Sequence, residues 1–146
     1  MPYTVIVGMT QTKANLIFSK LKPILLNEEF KTTGRLKIHS SPFMPLVIEQ
    51  NEPNYISLTH YYESNGDLVP DPDMVIKFDM NDQTAEAISY QDSYSYQDVR
   101  NEMGMVADFK LQNKLNGFLL QWLHNLTEQD FFEELKKLDK KPSCSD

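Results

Sequence analysis

Cysteine is almost absent from this chain. One residue in 146, Cys144, lies in the polar run Lys140-Lys141-Pro142-Ser143-Cys144-Ser145-Asp146. A single thiol cannot close a disulfide within the chain, and there is no CxxC spacing to hold zinc. Both absences fit a reducing compartment, so a cytoplasmic location is expected. A catalytic Cys144 would need a rigid electropositive pocket, which a polar tail does not provide. Long apolar runs are missing too: none approaches the roughly 20 residues that span a bilayer. Residues Met1 to Val7 lack the basic flank of a secretory signal, so no membrane association is expected. Glycine is scarce, and Gly8, Gly34, Gly66, Gly104 and Gly117 form neither a P-loop nor a dinucleotide fingerprint. The three histidines, His39, His60 and His124, are scattered, with no HxH or HExxH pair, and no GxSxG elbow occurs. Nothing in these patterns calls for a cofactor.

What is present suits one globular unit. Apolar residues make up 40% of the chain and aromatics 11%, enough for an ordinary core and too many for a disordered chain. The length matches a single domain of about 100–150 residues. The expected organisation is one domain over residues 1–139, with residues 1–35 as an added N-terminal element and 140–146 as a flexible tail.

Charge is unevenly placed. The net charge is −7, yet residues 1–50 carry a surplus of three basic groups. Residues 63–108 hold eleven carboxylates against only Lys77 and Arg100, a balance of −9. Such a field repels a phosphate backbone, so direct nucleic-acid binding is disfavoured and a basic protein partner is favoured.

Hydrophobic spacing predicts the elements. Tyr3 to Val7 reads as a short strand. Ala14, Ile17, Phe18 and Leu21 recur at helical spacing behind a Thr10 or Thr12 cap, and Pro23 should end or kink that helix near Lys22. Residues 27–34 read as a polar connection closed by Gly34. Period-2 alternation then marks strands at Leu36–Ile38, Leu46–Ile48, Tyr55–Tyr62, Met74–Met80 and Thr84–Tyr90, joined by short polar links. This is an antiparallel meander of four or five strands, solvated on one face. Residues 91–107 have no clear period. Leu111, Leu115, Phe118, Leu119, Trp122 and Leu126 form the stripe of a C-terminal helix, and Thr127 is placed to cap a second carrying Phe131, Phe132, Leu135 and Leu138. Burial of Phe118 or Leu119 contributes about 1.5–3 kcal/mol. The fold class is therefore α+β: a sheet packed against an N-terminal helix and two C-terminal helices.

The densest chemistry lies in His60 to Asp73, read as an acidic loop joining two strands. His60, Tyr62, Glu63, Asn65, Asp67, Asp71 and Asp73 are the candidate binding surface. Glu63, Asp67, Asp71 and Asp73 are the candidate ligands if a hard divalent cation binds there. The spacing is not that of an EF-hand, and no catalytic residue is assigned. Asn65-Gly66 should take positive φ in a tight turn, and Asp71-Pro72 should interrupt the approach to the following strand. The tyrosine-rich stretch Tyr90 to Asp98 reads as an edge strand or as a contact surface. Trp122, Phe131 and Phe132 read as core.

The segments Phe43-Met44-Pro45-Leu46-Val47-Ile48-Glu49, Ile56 to Leu68, Asp71-Pro72-Asp73-Met74, Ala85 to Gln91 and Leu111 to Phe131 together resemble an uncharacterised bacterial domain family of phages, plasmids and conjugative elements. The Ala85–Gln91 stretch is distantly similar to YqiB-like proteins of unknown function. The resemblance covers roughly residues 40–132 and implies a mobile-element setting without assigning an activity. Three functions follow as expectations. The favoured one is a small non-enzymatic accessory or anti-defence protein that binds a basic host- or element-encoded protein through its acidic centre. The second is a divalent-metal-dependent hydrolase using the His60–Asp73 segment. The third is a structural module that dimerises through an edge strand near residues 84–96.

Overall fold

Residues 12–140 are described by a computed structural model. The strand expected at Tyr3–Val7 and the thiol of Cys144 lie outside the described residues. Helix α1, Lys13–Leu25, starts as expected at Thr12, whose hydroxyl oxygen accepts from the Asn15 N–H at 3.1 Å. It does not stop at Lys22. Pro23 falls in the last turn, where its missing N–H costs a single ladder bond. Continuing for two more residues buries Ile24 and Leu25, and the Leu26 N–H donates to the Lys22 carbonyl at 2.9 Å. The polar connection expected at 27–34 is instead a short helix, α2, Glu28–Thr33. The Asn27 side chain accepts from the Phe30 N–H, Glu28 and Glu29 complement the helix dipole, and Gly34 ends the helix at φ 74°.

Six strands follow: β1 (Arg35–Ile38), β2 (Leu46–Glu52), β3 (Tyr55–Ser64), β4 (Asp67–Asp79), β5 (Thr84–Gln91) and β6 (Tyr96–Asp98). They pair antiparallel in sequence order, the expected meander with one strand more. Helices α3 (Phe109–Glu128) and α4 (Phe131–Lys140) complete the α+β arrangement. Leu36, Ile48, Ile56, Leu58, Met74 and Ile76 share one buried cluster with Ile17, Leu21, Leu119 and Phe131 from the helices. Residues 17–25 therefore contribute to the same core, although they lie in the stretch expected as an added element.

The opposite face of the sheet carries Arg35, Lys37, Glu49 and Lys77, with Arg35 Nε donating to Glu49 at 3.0 Å. It is not uniformly wet: Val47, Thr59 and Ser89 on that face are buried among longer neighbours. β6, in the stretch without period, is an edge strand of three residues, and the tyrosines around it stand out rather than lying flat. Tyr94 is 95% exposed and Tyr96 60%.

Helix α3 buries Leu115, Leu119, Trp122, Leu123 and Leu126, but Phe118 remains 40% exposed at the edge of the stripe. Thr127 does not cap the next helix. α3 runs through it to Glu128, and its hydroxyl donates to the Leu123 carbonyl at 2.9 Å; Asp130, at φ 68°, turns the chain into α4. Two buried amides join α3 to the sheet. Asn116 Oδ1 accepts from the Ala87 N–H at 2.7 Å, and Gln112 Nε2 donates to the Ala87 carbonyl at 3.1 Å. The backbone of β5 at Ala87 is thus already satisfied where an added strand would need it. Among the described residues, no helix is long and apolar enough to cross a membrane, which says nothing of a β-barrel.

Candidate functional site

The segment from His60 to Asp73 is not a loop. β3 and β4 extend through it as the far half of a long hairpin, and only Asn65 and Gly66 turn the chain, at φ 53° and 87°. That positive-φ pair is the turn its sequence anticipates. Asp71-Pro72 does not interrupt the strand. Pairing passes from Thr59↔Asp73 to Tyr61↔Pro70, so β4 absorbs one extra residue as a bulge beside the two prolines, where a missing ladder donor does least harm.

The pleat and the bulge then distribute the carboxylates. Asp73 lies opposite Thr59 on the face away from the helices and accepts from the Thr59 hydroxyl at 3.1 Å. Burial pushes its carboxyl above the usual range, the Thr59 bond opposes this, and the nearby Glu49 charge adds to it. Asp71 lies on the helix side with His60 and Tyr62, while Glu63 pairs with Leu68 and Asp67 with Ser64 near the exposed tip. The four carboxylates therefore splay over two faces. Among the described residues, no group of three or more histidine, cysteine, aspartate or glutamate side chains is placed to hold a metal ion.

What the hairpin does assemble is aromatic. His60, half-buried on β3, faces α3 and α4, with ring centroids 5.7 Å from Trp122 and 5.5 Å from Phe131. The series continues on both sides: Phe43 is 6.4 Å from Phe131, Phe118 is 6.4 Å from Trp122, and Tyr90 meets Phe118 edge-on at 5.2 Å. Six rings from five separate segments of the chain form one band. His60 Nδ1 is 3.1 Å from the Pro45 carbonyl. A carbonyl only accepts, so Nδ1 carries the proton and Nε2 is the ring's acceptor. Burial among the rings lowers the imidazole's pKa more than the Pro45 bond raises it, which keeps the ring neutral near pH 7.

Beside this band lies an open groove of about 230 Å³, bounded by Phe43 and Met44 before β2, by His60, Tyr61, Tyr62 and Asp71 on the hairpin, and by Gln129 after α3. Phe43 and Met44 are 44% and 41% exposed. The Tyr62 hydroxyl is 2.6 Å from the Ser93 hydroxyl, which in turn donates to Asp71 at 3.5 Å. A second carboxylate, Asp92, is held below the usual carboxylate range first by the Tyr94 N–H and then by the Tyr90 hydroxyl, which donates to it at 2.8 Å. Burial, this bond, and the charges of Asp92 and Asp71 push the Tyr90 phenol up to about 12. Neither Asp71 nor Asp92 has a cationic partner among the described residues.

Of the residues singled out from sequence, His60, Tyr62 and Asp71 therefore meet at one groove. Asn65 and Asp67 stand at the hairpin tip, Glu63 is exposed beyond it, and Asp73 faces the other side. The apolar contributors Phe43, Met44 and Phe118 carry no site signal in the sequence, while Asp92 falls in the Tyr90–Asp98 stretch that reads as an edge strand or a contact surface. The sole signal for Phe118 was its place on the helical stripe, which reads as core. His39 and His124 are exposed and do not line the groove, although His124 lies on α3 two residues from Trp122.

Neither the curated proteins nor the solved structures yield a significant match to this chain. A family model does match, over residues 17–132, from the middle of α1 to the start of α4. Its span takes in the whole sheet and every ring of the aromatic band. The chain belongs to the DUF6908 family, a domain of unknown function.

Proposed function

We propose that this chain is a non-enzymatic binding module that engages a basic protein through the groove between the β3–β4 hairpin and the α3–α4 junction. The observation that carries this reading is the combination at one place of exposed apolar side chains, Phe43 and Met44, with the carboxylate Asp71, and with Asp92 on the adjoining turn, neither of which a cation of the described residues neutralises. Aromatic and methionine side chains supply contact area, and unpaired carboxylates at the margin attract and orient a partner of opposite charge. The −9 balance of residues 63–108 extends that field well beyond the groove. An accessory or anti-defence role in a mobile element, in the cytoplasm, is the setting this reading fits: a basic, nucleic-acid-binding host or element protein would be held by the same charge that repels nucleic acid itself.

The metal-dependent hydrolase has less support, because its four ligands point to two faces of the sheet. The edge-strand dimer has less support at β5, where α3 already caps Ala87. The test uses a ten-residue peptide of alternating basic residues and alanine and its glutamate counterpart, each titrated into the ¹⁵N-labelled chain at about 50 mM salt. Saturable shifts around Asp71, Tyr62, Asp92 and Phe118 for the basic peptide alone support the reading. Equal response to both peptides, or none to either, ends it.

A further inference from the structure

We infer that the groove beside His60 receives a single arginine side chain from the basic partner, its guanidinium stacked on the exposed rings and bonded to Asp71. This deepens the binding-module reading and rests on it. The first argument is size. A volume of about 230 Å³ lies below the roughly 300–1,000 Å³ of pockets that enclose drug-sized molecules. It leaves room for one long side chain.

The second argument is the donor–acceptor balance of the lining. Among the described residues, Asp71 offers carboxylate oxygens engaged only by a long 3.5 Å bond from Ser93. Gln129 brings an amide carbonyl together with its two N–H donors, and Tyr61 a hydroxyl that can do either. His60 brings Nε2, because Pro45 occupies the protonated Nδ1. No polar side-chain atom in the described residues is both sealed from solvent and unpaired, so Nε2, which has no hydrogen-bond partner among the described residues, keeps some contact with solvent. Acceptors thus outnumber donors around the groove. Arginine presents five N–H donors in a plane and no acceptor.

The third argument separates arginine from lysine. The rim is aromatic, with Phe43 at 44% exposure and the hydroxyl end of Tyr62 directed toward Ser93. A guanidinium is flat and weakly hydrated, so it can lie on a ring while its edge bonds a carboxylate. A lysine ammonium is compact and strongly hydrated, has no flat face to lie on a ring, and would give up more water to meet the same acceptors.

The experiment compares three peptides, each a ten-residue alanine- and serine-based chain with one central position occupied by arginine, lysine or citrulline and with two flanking lysines throughout. Binding is followed by fluorescence of Trp122, the chain's single tryptophan, and by ¹⁵N shifts. The expected result is arginine tighter than lysine by about fivefold or more and tighter than citrulline by about tenfold or more, a difference of about 1.4 kcal/mol for the latter. Asp71→Asn should erase the arginine preference, and Phe43→Ala should weaken arginine binding at least threefold. Both variants are at exposed positions, and their ¹⁵N spectra report whether the fold is kept. Equal binding of arginine and lysine peptides overturns the inference while the binding-module reading stands. No binding of any of the three overturns both.

Discussion

The imidazole of His60 is set between two indole and phenyl neighbours drawn from different helices, 5.7 Å from the ring of Trp122 on α3 and 5.5 Å from the ring of Phe131 on α4. This one contact ties the β3–β4 hairpin to both C-terminal helices, and makes the hairpin's half of the groove depend on the helices' packing. It also places an ionisable ring where its charged form is unwelcome.

Acid should therefore loosen the structure through His60. Its folded pKa is lowered from 6.5 by burial, so the unfolded chain takes up the proton first as pH falls. The stability this group contributes is complete above pH 6.5 and is lost as pH falls from there toward the folded value. Thermal unfolding followed from pH 8 to pH 5 should show the melting temperature of the native chain falling more than that of His60→Leu. Parallel slopes for the two proteins would remove His60 from the explanation. The folded-state titration of His60 itself, read from its ring-proton shifts, should lie below the ordinary imidazole value of 6.5.

Most of the sheet was legible because its strands alternate, cleanly at Leu36–Ile38 and Met74–Phe78, where a one-residue slip would expose the whole apolar set; β5 departs from the period at Ile88, an extra residue where the register shifts. β6 has three residues and no period to read. α2 has six residues, too few for a stripe, and its only marks were the capping residues Asn27 and Gly34. The hairpin reads as a loop in sequence because Asp71-Pro72 argues against a continuous strand; a bulge on β4 reconciles that step with one. The groove was half visible. Its carboxylate, its histidine and Tyr62 cluster in sequence, but the rings that turn them into a site come from residues 43, 118, 122 and 131. No local pattern connects those positions.

The amide pair on α3 should be a stability determinant out of proportion to its size. Asn116 and Gln112 are buried and together satisfy the N–H and C=O of Ala87. Removing either partner leaves a buried backbone group without a bond, at about 1–3 kcal/mol. Urea denaturation of Asn116→Ala and Gln112→Ala should show losses in that range. Lys114→Ala, exposed on the same helix, should change stability by less than about 0.5 kcal/mol. Asn116→Leu keeps the volume but not the acceptor, and should fare no better than Asn116→Ala. A stable Asn116→Leu would mean that packing, not the bond to Ala87, is what matters there.

Beyond the β5–β6 edge, Asp98 should titrate anomalously. Arg100 donates to it through Nε at 3.0 Å and through a terminal guanidinium nitrogen at 2.8 Å, and the Tyr96 hydroxyl adds a third bond at 2.9 Å. The Arg100 bonds dominate and draw the carboxyl from 3.8 down to about 2. The sign follows: this group's stabilisation is present above pH 3.8 and is lost as pH falls through about 2. Carboxyl-carbon shifts recorded against pH should place the Asp98 midpoint near that value. Arg100→Ala should return it most of the way to the ordinary aspartate range, while Lys77→Ala should leave it in place.

Salt should decide how the acidic groove works. Exposed charges attract over about 10 Å at 0.1 M salt and over about 3 Å at 1 M. Asp71 is exposed and Asp92 is held by hydrogen bonds that keep it ionised, so both contribute attraction that ions can screen. Affinity for a basic peptide should fall steeply between 50 and 500 mM salt. In Asp71→Asn the low-salt affinity should drop by about tenfold and the salt dependence should flatten, because one of the screened charges is gone. Phe43→Ala should behave differently: affinity falls at every salt concentration and the slope is retained, since the lost contact is apolar. Glu86→Gln, on β5 away from the groove, controls for net charge alone. If Glu86→Gln matches Asp71→Asn in both affinity and slope, attraction belongs to the whole acidic segment. If only Asp71→Asn and Phe43→Ala alter binding, each in its own manner, the groove itself is the point of attachment.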